Sequence, residues 1–260
     1  MAETTFIDNF RRGVRIIFLA LWSLLSALIA TPSMCLCFGA CRCRLGSFWS
    51  RVWSTGARVI LGMRLNICGK IPRKHGFLVV SNHLGYLDVL AHASALPLRF
   101  APKAEIRKWP FFNWLTSLSA PIWIDRKNPR MAAVYAKEFR NTMDNGISML
   151  VYPEGTSTDG LHGVLPFKST AFAAALDANA EILPTLLFYR QTPAEPLAAW
   201  HDDTPFGTHI WQTLALKNIV IDLYILPPVT VNAGESRKDL AIRIHQLMEK
   251  EYWEIAKREN

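Results

Sequence analysis

Phe77-Leu78-Val79-Val80-Ser81-Asn82-His83-Leu84-Gly85-Tyr86-Leu87-Asp88 opens as a short apolar run and stops abruptly in polar and turn-forming residues. An apolar run this short reads as a buried strand, and Gly85 permits a tight turn where it ends. Ile147–Tyr152 is a second such run and leads into Pro153-Glu154-Gly155-Thr156-Ser157. Polar groups at the C-terminal ends of buried strands stand where open α/β sheets hold their ligands.

Outward from these two runs, β-branched segments alternate with helical ones. Arg64–Cys68, Pro121–Ile124, Ile182–Tyr189 and Ile219–Leu226 read as further strands. Met131–Asn145 keeps Met131, Val134, Tyr135, Phe139 and Met143 near one face and halts at Gly146, so it reads as a helix. Thr170–Ala178 is Ala-rich and helical, and Ser236 with Asp239 forms a capping-box pattern before a third helix. Gln191–Gly207, with three prolines, reads as a loop. The expectation is one α/β domain over residues 59–260, its mixed, largely parallel sheet flanked by helices.

The 260-residue chain is long enough to build its core without disulfide or metal staples. With 50% hydrophobic and 19% charged residues it is not a disordered chain, and its mean hydropathy of +0.13 is high for a freely soluble enzyme. Charge is divided unevenly: residues 1–130 carry a net +13 and residues 131–260 a net −5. The basic half implies a face turned toward something anionic. Zinc-finger spacing, a basic heptad helix and an RNP segment are all missing, so membrane lipid is expected there and nucleic acid is not. Cys35, Cys37, Cys41 and Cys43 follow a C-x-C-x-x-x-C-x-C pattern unlike ordinary zinc sites, and with Cys68 the total is odd. They read as free thiols in a reducing compartment, and no metal is expected.

From Ile16 to Cys41 no residue is charged, a length able to cross a bilayer core of about 20 residues. A signal peptide fits poorly, because Leu28 stands where a small residue is wanted. Arginines lie on both sides, at 11, 12 and 15 and at 42, 44, 51 and 58, whereas a crossing segment wants one basic flank. Pro32 is expected to break the helix, and Ser47–Met63 reads as a second, amphipathic segment. Residues 1–58 are therefore expected to form a re-entrant or monotopic membrane anchor, narrowly preferred to a single crossing.

Residues with chemistry gather at the strand ends. On a regular helix a five-residue step turns about 500°, so His83 and Asp88 would not share a face. At a strand end Asp88 can fold back to one imidazole nitrogen, fix the tautomer and leave the other nitrogen as a base. The plainer reading is a structural histidine beside a helix-capping aspartate. Ile122-Trp123-Ile124-Asp125-Arg126 reads as a third strand ending in a charged pair. His162, His201 and His209 lack metal spacing and read as surface-loop residues. Arg107–Trp114, mixing cations and rings, reads equally as a packed turn or an interfacial patch.

Taken together, Asn82–Asp88 (NHLGYLD), Trp123–Arg126 (WIDR) and Tyr152–Ser157 (YPEGTS) resemble the motifs of the 1-acylglycerol-3-phosphate O-acyltransferases and related glycerolipid acyltransferases. Ile182–Thr185, and Lys103–Ile106 with Trp109-Pro110, are similar to further segments of that family, and the resemblance spans roughly residues 60–230. It implies His83 as general base and Asp88 as its orienting partner. It also implies Arg126 on an anionic acceptor headgroup, and Asn82, Lys103, Glu154, Gly155 and Thr156 in substrate binding. Many members carry Arg after the Thr of the third motif; here Ser157 and Thr158 follow, and Lys168 could compensate in part. That change weakens the match to a phosphate monoester, which Arg binds bidentately.

The resulting expectation is an enzyme that moves a fatty acyl group from acyl-CoA or acyl carrier protein to a lysolipid hydroxyl, without cofactor. Its first acceptor is 1-acylglycerol-3-phosphate, giving phosphatidate; a lyso-ornithine lipid or another lysophospholipid stays open. The cytoplasmic donor places the domain on the cytoplasmic side of the inner membrane or another cytoplasm-facing membrane. G-x-S-x-G, Walker A and G-x-G-x-x-G patterns are absent, which argues against a nucleophile-elbow hydrolase, a P-loop enzyme and a dinucleotide enzyme. A non-catalytic lipid-binding protein is the remaining alternative, and it would have no need of an oriented base.

Overall fold

The computed structural model describes residues 5–259 apart from 75, 103, 109, 126–130 and 191–197. Lys103, Trp109 and Arg126 therefore lie outside the described residues. Six strands, β1 (Met63–Gly69), β2 (Leu78–Ser81), β3 (Leu98–Arg99), β4 (Ser148–Val151), β5 (Ile182–Arg190) and β6 (Ile219–Ile225), form one sheet ordered β1-β6-β5-β2-β4-β3. All neighbours run parallel except β5 and β6, so the sheet is mixed and largely parallel, as expected.

Every residue of β2 and β4 is buried, which explains why both read as continuous apolar runs and not as alternating ones. On one face, α2 (Gly39–Ile60), α3 (Leu87–Ala95) and α7 (Phe206–Thr213) flank a core that includes Ala57, Leu87, Ala91 and Leu98. On the other, α5 (Ala132–Asp144), α6 (Ala173–Ala178) and α8 (Arg237–Glu259) contribute Phe139, Met143, Ala175, Leu240, Ile244 and Met248. The expected caps are present: Asp239 N–H donates to Ser236 Oγ at 3.2 Å, and Gly146 takes a φ of +72° after α5.

Two local expectations need correction. Pro121–Ile124 is not a full strand: Ile122 and Ile124 donate to the Phe100 and Pro102 carbonyls, Ile124 accepts the Ala104 N–H, and the pairing beyond the short edge strand β3 amounts to a single bridge at Ile124. Pro97, Pro102 and Pro121 lack the N–H groups a continuous ladder would need there. Thr170–Ala178 divides into a 3-10 turn, Ser169–Phe172, followed by α6.

The N-terminal segment is a helical hairpin. Contrary to expectation, α1 (Phe6–Cys35) runs through Pro32, and the chain reverses at residues 36–38 before Gly39, whose φ is +55°. Pro32 stands in the last turn, where its missing N–H forfeits only one intrahelical bond. Three indoles tie the helices together: Trp22 donates to the Trp53 carbonyl, Trp53 to Ser23 Oγ and Trp49 to Ser33 Oγ, at 2.9, 3.0 and 2.9 Å. The outer face of α1 exposes Phe10, Ile17, Phe18, Leu21, Leu24 and Leu28. Arg12 and Arg15, expected among the headgroup-facing flank, are instead buried against the end of α7. The 58/59 boundary falls in the last turn of α2. No disulfide joins the cysteines among the described residues.

Candidate active site

β2 ends at Ser81, and the loop 82–86 carries the chain into α3, placing Asp88 in that helix's first turn. There its Oδ2 receives the N–H of Leu84 at 2.6 Å, the N–H of Gly85 at 3.0 Å and His83 Nδ1 at 2.7 Å. One oxygen therefore both faces the imidazole and gathers the loop before α3, while the helix itself, with Tyr86 at its N-cap, has no side-chain cap. The Asp88 side chain is fully buried, while that of His83 keeps 25% of its surface. An ionised Asp88 only accepts, so Nδ1 carries the proton and Nε2 is the nitrogen able to accept one.

The second strand end supplies the walls. Tyr152, just past β4, stacks on the His83 ring with centroids 4.2 Å apart and planes 17° from parallel. The buried Glu154 carboxylate receives the N–H of His83 at 2.9 Å and the N–H of Leu165 at 3.0 Å. Burial outweighs these two donors and pushes its carboxyl up to about 7. Glu154 thus holds the backbone beneath His83. Asn82 is engaged with the backbone as well. Its amide donates to the Leu187 carbonyl and receives the Leu187 N–H, at 3.0 and 2.8 Å, extending the β2–β5 pairing by a side chain.

Gly155 has a φ of +78°, and a Cβ there would collide with Lys168 Nζ. Lys168, whose N–H is fixed on the Pro153 carbonyl at 2.9 Å, thereby brings an ammonium group over this turn, and Thr156 is exposed beside it. Ser157 Oγ donates to the Trp200 carbonyl at 2.5 Å, Trp200 N–H to the Leu84 carbonyl at 2.7 Å and Thr158 N–H to the His83 carbonyl at 2.8 Å. Three loops are stitched together around the imidazole.

Sequence reasoning missed several residues here. Tyr189 donates to Asp88 Oδ1 at 2.6 Å. His92 is buried one helical turn beyond Asp88, and burial pushes its imidazole down to about 4, so it stays neutral. Its i+4 spacing from Asp88 was a readable signal; Tyr189, 101 residues away, offered none. His209, expected on a surface loop, is buried on α7 and bonded to Tyr86 Oη at 3.2 Å and the Ala199 carbonyl at 3.1 Å. Of the aromatic-basic stretch, Arg107 lies over the Trp123 ring at 5.5 Å, and Trp114, in α4 (Pro110–Ser117), keeps 37% of its surface.

A family model described as Acyltransferase matches residues 64–187, which contain both strand ends. The chain is 37% identical to a lyso-ornithine lipid O-acyltransferase of Rhodobacter capsulatus, over 70% of this chain and 67% of that one. The chain belongs to the acyltransferase family. A 1-acyl-sn-glycerol-3-phosphate acyltransferase of Neisseria gonorrhoeae is 27% identical over 74% of this chain and 75% of its own. The 1-acyl-sn-glycerophosphate acyltransferase PlsC of Thermotoga maritima shares the fold, with a TM-score of 0.65 and 18% identity over 95% of this chain and 96% of that one. This acyltransferase thus carries its family's NHxxxxD and PEGT motifs on the ends of β2 and β4.

Proposed function

We propose that this lysolipid acyltransferase works by general-base attack of the acceptor hydroxyl, and that the acceptor is a lyso-ornithine lipid. His83 Nε2 takes the hydroxyl proton as the oxygen attacks the thioester carbonyl of acyl-CoA or acyl carrier protein. The imidazolium formed is stabilised by Asp88 and returns its proton to the leaving thiolate. The Nδ1–Oδ2 contact of 2.7 Å, against a fully buried carboxylate, carries this reading.

The acceptor is argued from the turn at Glu154–Thr158. Where many family members have a guanidinium, Ser157 is engaged with the Trp200 carbonyl, and the ammonium at this turn is that of Lys168. One ammonium suits the single carboxylate of an ornithine headgroup better than a doubly charged phosphate monoester. The relative in Rhodobacter capsulatus supports the same acceptor. The second reading, 1-acylglycerol-3-phosphate with Arg126 and Lys103 on its phosphate, is supported by the relative in Neisseria gonorrhoeae. An acceptor panel with one long-chain donor, supplied as acyl-CoA and as acyl carrier protein, separates them. Faster turnover of lyso-ornithine lipid is expected, and preference for 1-acylglycerol-3-phosphate would establish the second reading.

The α1–α2 hairpin is proposed to lie in a cytoplasm-facing membrane, the inner membrane in a bacterium, with both termini on the cytoplasmic side. The outward row of Phe10, Ile17, Leu21, Leu24 and Leu28 supports this. Membrane pellets should keep the enzyme through salt washing and release it to detergent. Labelling of a cysteine placed at residue 5 by an impermeant reagent from outside intact cells would replace the hairpin insertion with a full crossing.

A further inference from the structure

β5 outruns its neighbour: it pairs with β2 only as far as Ser81↔Thr185, yet continues to Arg190 along β6. That overhang carries Tyr189 past the end of β2 and alongside the first turn of α3. Oδ2 of Asp88 is shared by three donors, whereas Oδ1 receives the Tyr189 hydroxyl at 2.6 Å. The Asp88 side chain is fully buried, so water is not available to replace that donor.

We propose that Tyr189 is a positioning residue of the His83–Asp88 dyad, holding the carboxylate ionised and aimed and thereby setting the proton affinity of His83. The proposal rests on His83 as the base. A donor on Oδ1 draws negative charge away from Oδ2 and so weakens the pull of Asp88 on an imidazolium. It also blocks rotation of the carboxylate about its Cβ–Cγ bond. The phenol is suited to permanent donation, since burial and the neighbouring Asp88 charge hold it protonated far above neutral pH.

The other titratable groups around the dyad are Tyr86 and His92 on the α3 side, and Tyr152 and Glu154 past β4. Burial keeps Tyr86, His92 and Tyr152 neutral near pH 7. Glu154 titrates near 7 and can shape the same kinetic limb. A direct reading of His83 is therefore needed beside the kinetics.

The test uses Tyr189→Phe in the full-length, detergent-solubilised enzyme. Expected are a drop in kcat of about tenfold with the acceptor KM unchanged, and an acid limb of kcat/KM moved upward by about one pH unit, as for loss of one hydrogen bond to a charged group. Imidazole-nitrogen NMR of His83, assigned by the signal lost in His83→Ala, should show the same upward shift. An unmoved limb with an unmoved His83 titration overturns the proposal whether or not the rate falls, because a packing role alone would only scale activity. Fluorotyrosine at residue 189 keeps the side chain's shape and strengthens its donor, so the His83 titration should move downward; no movement again overturns the proposal. If His83→Ala proved active, the base assignment would fail, while the NMR comparison would still decide whether Tyr189 acts on the dyad.

Discussion

The membrane hairpin and the catalytic end of the sheet both bury charge, and they satisfy it with opposite ends of the backbone. At the catalytic end the buried groups are acids, Asp88 in the first turn of α3 and Glu154 past β4, and backbone N–H groups of the loop 82–86 and of Leu165 converge on them. In the hairpin the buried charges are arginines, and carbonyls converge on them. Arg12 Nε donates to the Trp211 carbonyl at 3.1 Å, and Arg15 Nη1 donates to those of Leu214 and Leu216 at 3.0 and 2.6 Å. Those carbonyls lie at the end of α7, where a helix leaves its acceptors unpaired and its dipole negative. A buried anion is tolerated where a helix begins, and a buried cation where one ends. The apolar logic is reversed as well: the sheet turns its large side chains inward, whereas α1 buries arginines, serines and alanines and turns leucines and phenylalanines outward.

This contrast can be broken from either side. The largest effect is expected at the catalytic end, where His83→Ala should lower turnover at least about 100-fold without unfolding the enzyme, measured with donor and acceptor saturating. Asp88→Asn comes next. An amide oxygen can still accept the N–H groups of Leu84 and Gly85, so the melting temperature should hold within a few degrees while turnover falls about tenfold or more for want of a charge opposite the imidazolium. Retained kinetics would reduce Asp88 to a brace of the loop before α3.

On the hairpin side, Arg15→Met keeps much of the side chain's bulk but leaves the carbonyls of Leu214 and Leu216 without their donor. A loss of about 2 kcal/mol in denaturant unfolding is expected, with the acceptor KM unchanged. An equal or higher stability would mean that this buried cation costs about as much as it contributes.

The smallest effect concerns pH. Glu154 is held near 7 in the fold against an ordinary 4.5, so the folded state keeps a proton the unfolded chain has lost. Its contribution should therefore make stability decline as pH rises from about 4.5 to 7 and then level off. Glu154→Gln should flatten that slope; it also sets an amide N–H₂ against one of two backbone N–H groups, so it should lower stability at every pH. A slope unchanged in the variant would assign the decline to another group.

Much of the catalytic end was legible in the sequence because its signals are local. Asn82–Asp88 and Tyr152–Ser157 each sit within one strand end and its turn, and a Gly in each loop marks where the backbone bends. The backbone partners of Asn82 and Glu154 were not legible for the opposite reason. Both residue types are common in binding sites, and nothing nearby in sequence discloses that Leu187, His83 and Leu165 take up their polar atoms. Arg12 and Arg15 were misjudged similarly, since a basic flank beside an apolar helix reads as a headgroup contact until the end of α7 is seen to cover it.

The sequence by itself determined the alternation of strands and helices, the buried β2 and β4, the dyad spacing and the apolar length of α1. Each is written in periodicity or in residues a few positions apart, and the backbone responds to those over one or two turns. Only the tertiary structure decided that Tyr189 reaches Asp88 across 101 residues, that Asn82 pairs with Leu187 across 105, and that α7 ends against the arginines of α1. Those partners depend on strand order, on β5 lying beside β2 and outrunning it, and on where the hairpin docks. A buried polar group must find a partner somewhere, but sequence fixes only the need, and the packing of distant elements supplies the atom that meets it.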